Sequence, residues 1–363
     1  MTIRRVAALL CCGLAVLVFA ACGSDSGDGS SADTTEASGG GGDEGNGDGT
    51  RIGVVLADLN NPFIADERDG LVAEAEARGY ELLISGSNDG AENVSAFETY
   101  LAQQVDLMII STVDAAAMVP AVETANEQGV PVIGFQSSVP ADLTKTFVAP
   151  DNYAAGVTIG EAIVEWCEDI DPCKLGVVQG SFADPSGVAE NEGMEDTIEK
   201  HPNIDLVGGS PTEYDPAKAL NVASDLLAAN PDINYLYAWW DQGALSALEA
   251  VRDKGLEGEV GISGFTGTCP AVAEVIKGNL YQDPMYFAYS QGQYTLAKAA
   301  QVLEGEELPA ETPWPFFSLT TPIAEEVLAG KSDAEFPPAE IVAQLESEPR
   351  DLPEELERAE GGC

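Results

Sequence analysis

From Arg51 onward the chain alternates short apolar runs with amphipathic stretches, and it completes that alternation twice. Ile52-Gly53-Val54-Val55-Leu56 is β-branched and continuously apolar, which suits a strand covered on both faces. Ile64, Leu71, Val72 and Ala75 then recur at helical spacing up to a stop at Gly79. Strand-like runs follow at 80–84, 107–110, 131–135 and 147–149, with helical faces between them. The pattern restarts with a helix at 154–166 and strands at 174–178, 205–207, 235–240 and 260–263. It closes with an extended run at 280–286 and a helix at 292–303. Strands alternating with helices form parallel sheets through right-handed crossovers. Two rounds predict an α/β protein with two doubly wound parallel-sheet lobes. In such sheets ligands sit beyond the carboxyl ends of strands, so site residues are sought there.

The two ends lie outside this pattern. Arg4 and Arg5 precede an apolar run that ends in small residues, which reads as a signal peptide over 1–21. No later segment approaches ~20 consecutive apolar residues. Phe19-Ala20-Ala21-Cys22-Gly23 resembles a bacterial lipobox, with Phe19 where Leu is usual, and so implies lipidation of Cys22. An ordinary secretory signal with a chance Cys is the alternative. The Gly, Ser, Asp and Thr that follow have no periodicity, so 22–50 is predicted to be a flexible tether. At the far end, 336–363 is acidic and broken by Pro337, Pro338, Pro349 and Pro353. It is expected to be an extension, either as short helices on a domain surface or as a loose tail.

Sixteen Lys and Arg stand against 62 Asp and Glu, a formal net charge of −46. A surface of that sign repels nucleic-acid phosphate and anionic lipid, so nucleic acid is excluded as a partner. Of seven cysteines, Cys11 and Cys12 leave with the signal and Cys22 carries the lipid. Cys167 and Cys173 bracket a tight loop, and in an oxidising compartment they are predicted to form a disulfide. That leaves Cys269 and Cys363 as a remaining pair whose connectivity is open. No metal site is expected, because zinc needs more Cys or His ligands and the one histidine, His201, reads as a surface residue. The turn after the first strand lacks dinucleotide-binding glycines. No phosphate-binding Gly-x-x-x-x-Gly-Lys and no Gly-x-Ser-x-Gly elbow occur, so neither an enzyme nor a cofactor is indicated.

Ile52 to Phe63 (IGVVLADLNNPF) resembles the opening of the ribose-type periplasmic sugar-binding proteins, the substrate-binding components of ABC importers. Further matches follow in order: Gly129-Val130-Pro131-Val132-Ile133, Ala149-Pro150-Asp151-Asn152, Glu192-Gly193-Met194, Asp215 to Leu220, Asp241 to Leu248 and Gly264 to Thr268. The resemblance covers roughly 51–320. It implies the type 1 periplasmic binding fold, two lobes joined by three crossovers that close on a ligand. Lobe one is expected at 51–151 plus 286–316, and lobe two at 152–285 plus 317–335.

The family's sugar contacts fall on Asn61, Phe63, Gln136, Ser137, Val188, Tyr214, Trp240, Thr266 and Tyr286. Asp58, Phe135, Trp239 and Asp241 are the remaining candidates at strand ends. Where the family places charged clamps on adjacent hydroxyls, this chain has Gln136, Ser137, Val188 and Thr266. A more aromatic and more neutral pocket is therefore predicted, which argues against ribose itself. Trp239 and Trp240 alternate along a strand, so at most one should face the cleft and the other pack in the core; the match favours Trp240, with Trp239 the lesser candidate. Asp241 and Asn61 each have an alternative reading as helix caps. The resulting expectation is an exported, monomeric lipoprotein on the outer face of the cytoplasmic membrane, passing a small sugar or polyol to an ABC permease. A receptor of the same fold that feeds a membrane sensor kinase or chemoreceptor is the second reading. A secreted hydrolase is the third and weakest.

Overall fold

A computed structural model of the protein describes residues 49–362, apart from 113, 138, 333 and 334. The expected signal peptide, the lipid site at Cys22, most of the tether and Cys363 lie outside the described residues. The element order is β1 (Arg51–Leu56), α1 (Pro62–Arg78), β2 (Glu81–Gly86), α2 (Gly90–Ala102), β3 (Leu107–Ile110), α3 (Ala115–Glu127), β4 (Val132–Phe135) and β5 (Thr146–Ala149). The second round is α4 (Asn152–Trp166), β6 (Cys173–Gln179), α5 (Pro185–Ile198), β7 (Ile204–Pro211), α6 (Pro216–Ala229), β8 (Tyr235–Ala238), α7 (Asp241–Lys254), β9 (Gly261–Ser263), α8 (Cys269–Ile276) and β10 (Gln282–Met285). Then come α9 (Ala288–Leu303), β11 (Glu311–Pro313), β12 (Phe317–Thr320), α10 (Thr321–Leu328), α11 (Ala339–Val342) and α12 (Leu352–Gly361).

These strands form two six-stranded sheets, in the orders β11-β5-β4-β3-β1-β2 and β12-β10-β9-β8-β6-β7. The first is parallel throughout. The second is parallel except for β12, which runs antiparallel to β10. The central strands are buried along their length, as continuous apolar runs require: β3, β4 and β8 show no exposed residue. The apolar pattern of the first round ends at 147–149, yet the sheet does not. Residues 311–313 add β11 beside β5, a strand whose Glu-Thr-Pro carries no apolar signal and which is tolerated because it lies at an edge. The chain crosses between the sheets after β5, after β10 and between β11 and β12.

Local chemistry explains why helices start at the strand ends. Asn61 caps α1 by accepting the Phe63 amide at 3.0 Å, with Pro62 behind it in the first turn. Asp184 caps α5 in the same way through the Ser186 amide at 3.0 Å, with Pro185 following. Helices α4 and α5 pack closely because Gly156 lies against the Glu190 carbonyl; a Cβ there would sit 1.9 Å from that oxygen. Cys167 and Cys173 form a disulfide that ties the end of α4 to the start of β6. Cys269, at the head of α8, is also disulfide-bonded.

Residues 336–362 pack against both lobes. Phe336 stacks on Phe287 at 4.2 Å between centroids and meets Trp314 and Phe317 edge-on, so it sits where the chain crosses between sheets. Farther on, the Glu74 carboxylate on α1 accepts the amides of Glu346 and Ser347 and the Ser347 hydroxyl. Arg350 lies over the Tyr289 ring of α9 and pairs with Asp66 of α1. Helix α12 then buries Leu352, Leu356 and Ala359 and packs on α8 of the second lobe. Of the two forms open to this extension, short packed helices is the one adopted.

Candidate functional site

Between the sheets, at the carboxyl ends of their strands, lies a cavity of about 310 Å³. Lobe one contributes Asp58, Asn60, Asn61, Phe63, Asn88, Ser111, Thr112, Gln136 and Ser137 to its lining. Lobe two contributes Asn152, Asp184, Ser186, Gly187, Glu190, Tyr214, Trp239, Trp240, Gln242, Phe265 and Thr266, and Tyr286 sits at the crossover after β10. Six aromatic side chains line it: Phe63, Tyr214, Trp239, Trp240, Phe265 and Tyr286. Tyr286 meets Phe265 edge-on at 4.9 Å, and Tyr214 meets Trp240 edge-on at 5.3 Å.

Among the described residues, three hydrogen bonds cross the cleft directly: Ser137 Oγ donates to Asp184 at 2.7 Å, Ser186 Oγ to the Gln136 carbonyl at 3.0 Å, and Gln242 Nε2 to Asn61 Oδ1 at 3.1 Å. The lobes are thus drawn together. Non-glycine residues in left-handed backbone geometry gather here as well, at Gln136 (φ 58), Tyr214 (φ 56) and Thr266 (φ 119). Such residues are held only where surrounding structure over-determines them.

Of the residues singled out in the sequence, Asp58, Asn61, Phe63, Gln136, Tyr214, Trp239, Trp240, Thr266 and Tyr286 share this cavity. Phe135 does not line it; this last residue of β4 is fully buried in the core. Asp241 is a second correction. It is fully buried away from the cavity and is not the cap of α7, since Trp240 occupies that position. Its carboxylate instead accepts the amides of Phe265 and Thr268 and the Thr266 hydroxyl, fixing the loop that carries Phe265 and Thr266. Burial pushes its pKa up to about 6 against those bonds, and beside it burial and the Asp241 charge raise Asp283 well above the usual range.

The expectation that only one of Trp239 and Trp240 reaches the cleft also fails. Strand β8 stops at Ala238, so side-chain alternation no longer governs the pair, and both indoles line the cavity. Trp239 Nε1 donates to Asn191 Oδ1 at 3.1 Å, while the buried Trp240 Nε1 has no partner among the described residues. Gly187 makes room for this wall: a Cβ there would lie 2.7 Å from the Trp239 ring and 2.8 Å from the Tyr214 hydroxyl.

The cleft is aromatic as expected, yet it is not neutral. Asp184 and Glu190, both buried, line it from α5. Val188, one of the positions matched to the family's charged clamps, is half-buried and outside the lining. Asp184 accepts from Ser137, the Ser186 amide and the Tyr214 hydroxyl. Glu190 accepts from the Tyr237 hydroxyl, and burial above all, with the charges of Asp184 and Asp241, holds its carboxyl well above the usual range despite that bond. The chain does carry a signal for Asp184, since Asp-Pro after a strand repeats the Asn61-Pro62 pattern. Glu190 carries no such signal; it lies on the buried face of α5 with Gly187, Asn191 and Met194. Among the described residues, no group of three or more His, Cys, Asp or Glu is placed to hold a metal ion.

A family model described as a periplasmic binding protein domain matches residues 52–307. The ribose import binding protein of Escherichia coli strain K12 is 28% identical over 263 residues, covering 72% of this chain and 88% of that protein. An ABC transporter solute-binding protein of Mycobacterium smegmatis with bound glycerol superposes with a TM-score of 0.73 at 25% identity, over 77% of this chain and 96% of the other. The fructose-binding periplasmic domain of a hybrid two-component system has the same fold, with a TM-score of 0.69 at 24% identity over 75% and 90% of the two chains.

Proposed function

The chain belongs to the periplasmic binding protein family, of the ribose-binding type, whose members bind substrates and are not enzymes, and from that premise we propose that it is an extracytoplasmic receptor for a small polyhydroxylated ligand, delivering it to an ABC permease. The observation that carries this reading is the cavity itself. It is walled from both lobes by aromatic rings interleaved with amide, hydroxyl and carboxylate groups. Aromatic faces take the C–H faces of sugars and polyols while polar groups fix the hydroxyls. A ligand touching both walls stabilises the closed form by its differential affinity for that state. The signal-like start and Cys22 add lipid anchorage outside the cytoplasmic membrane, with the monomer as the working unit.

A thermal-shift screen across pentoses, hexoses, polyols and inositols tests the reading. A specific ligand at a hundredfold excess over its Kd adds about 2.7 kcal/mol of stability and raises the melting temperature. If none of these compounds moves it, the sugar-receptor reading falls. Sensing is a second reading, favoured by the likeness to the two-component periplasmic domain. Deleting the gene distinguishes the two: transport requires loss of uptake of the identified ligand, and sensing requires loss of a transcriptional response with uptake intact. Cys22→Ser should release the protein from membranes, and unchanged membrane association of that variant would count against the anchor.

A further inference from the structure

Resting on the reading above, we propose that the ligand carries a cationic amine on its polyhydroxylated frame, as amino sugars and amino polyols do, and that Glu190 selects it by serving as counter-ion to the ammonium. The charge inventory of the cleft is the starting point. Its lining holds the carboxylates of Asp58, Asp184 and Glu190, and among the described residues it holds no Lys, Arg or His. Glu190 is 1% exposed. The titratable groups around it are Asp184 on its own helix, Tyr237 on β8, Tyr214, Tyr286, Asp241 and Asp283. All of these are neutral or anionic, so no cation among the described residues balances an ionised Glu190. A buried carboxylate with one hydroxyl donor and no counter-cation is disfavoured, and the protonated form is favoured instead. The raised pKa of Glu190, caused first by burial, agrees with that.

The other two carboxylates are already engaged. Asp184 serves Ser137, Ser186 and Tyr214, and Asp58 is partly exposed and accepts from Asn60 and Asn88. An ammonium entering the cleft replaces the missing cation beside Glu190 and meets the faces of the aromatic wall, where cation–π attraction adds to the ion pair. The unpartnered Nε1 of Trp240 needs an acceptor, which a ligand hydroxyl supplies. A neutral sugar answers the second need and leaves the first unmet; an amino sugar answers both. As the ammonium binds, the Glu190 carboxyl gives up its proton to solvent. Affinity for the amine therefore rises with pH until the amine itself loses its proton, as the proton that must leave the carboxyl is held less often.

Titration calorimetry on the intact mature protein tests this with matched pairs. Glucosamine is compared with glucose, galactosamine with galactose, and amino polyols with their parent polyols, using wild type and Glu190→Gln. The amine of at least one pair should bind at least tenfold tighter than its parent. It should release a proton, read as heat that depends on the buffer's ionisation enthalpy, and it should lose its advantage in Glu190→Gln. If melting curves show that variant unfolded, the wild-type ratio and the buffer dependence decide alone. A parent sugar that binds as tightly as its amine overturns the inference and leaves the sugar-receptor reading standing. If no member of any pair binds, this inference falls, and the wider thermal-shift screen decides the sugar-receptor reading.

Discussion

Lobe one meets the cleft mainly with Asn61, Asn88, Ser111, Thr112 and Gln136, neutral groups set at strand ends and helix starts, whereas lobe two meets it with Tyr214, Trp239, Trp240, Asp184 and Glu190. The two walls are built by the same alternation of strands and helices, yet one is largely amide and hydroxyl and the other aromatic and acidic. The contrast divides the work of capture. Large rigid rings and buried charge account for most affinity when a ligand displaces water from them. Short polar groups add direction and reward closure. Lobe two should therefore hold the ligand, and lobe one should close over it.

The strongest way to break this division is to remove the rings. Trp240→Ala and Trp239→Ala should each weaken binding of the identified ligand by ~2 kcal/mol or more, roughly thirtyfold, as read by calorimetry. If Trp239→Ala only lowers the melting temperature and leaves Kd alone, its indole is packing rather than wall. A second test separates stability from affinity within lobe two. Replacing Cys167 and Cys173 together by Ser opens a short loop with a sequence separation of 6. Chain-entropy reasoning gives a loss of about 2 kcal/mol in urea unfolding, with faster amide exchange at the α4–β6 junction and unchanged affinity.

A third prediction uses the buried acids behind the aromatic wall. Asp241 and Asp283 have folded pKa values raised above their unfolded ones, by burial first. The folded state then binds protons more tightly, so this contribution favours folding at low pH. It is lost as pH rises from the ordinary carboxylate range through the raised values, which for Asp241 is about 6. The melting temperature should be higher at pH 5 than at pH 7.5, and Asp283→Asn, which removes one of the two buried acids, should flatten the slope. A stability that climbs with pH over this range would contradict it. The smallest effect belongs to lobe one. Ser137→Ala removes one bond across the cleft and should weaken binding by about 1 kcal/mol, roughly fivefold, while widening the ligand-free protein in small-angle scattering. If neither changes, the Ser137–Asp184 bond does not hold the lobes together.

Much of the candidate wall is legible in the chain itself. Asn61, Phe63, Gln136, Tyr214, Thr266 and Tyr286 stand at strand ends or crossings in an ordered series of motifs, and all six line the cavity. Other positions escape such reading for specific reasons. Trp239 and Trp240 are separated by a period-2 rule that applies only inside a strand, and β8 ends at Ala238. Asp241 has the sequence setting of a cap or a contact, but its carboxylate turns to the loop at 265–268 because three donors await it there. Glu190 gives no signal because a lone acid in a helix reads as solvated surface, and only the packing of α5 against α4 and β8 buries it.

The sequence alone determined the two rounds of strand and helix, where the helices begin, and the disulfide that staples α4 to β6. These follow from periodicity, capping and spacing, which act over a few residues and are set by the chain's own dihedral preferences and hydrogen-bonding groups. Tertiary structure alone decided that 311–313 and 317–320 would edge the two sheets, that the acidic C-terminal segment would pack on both lobes through Phe336, Glu74 and α12, and that two buried carboxylates would face an aromatic cleft with no lining cation among the described residues. Each of those outcomes joins groups far apart in the chain. Its energy comes from burial and unbalanced charge, which do not exist until the lobes have formed and met.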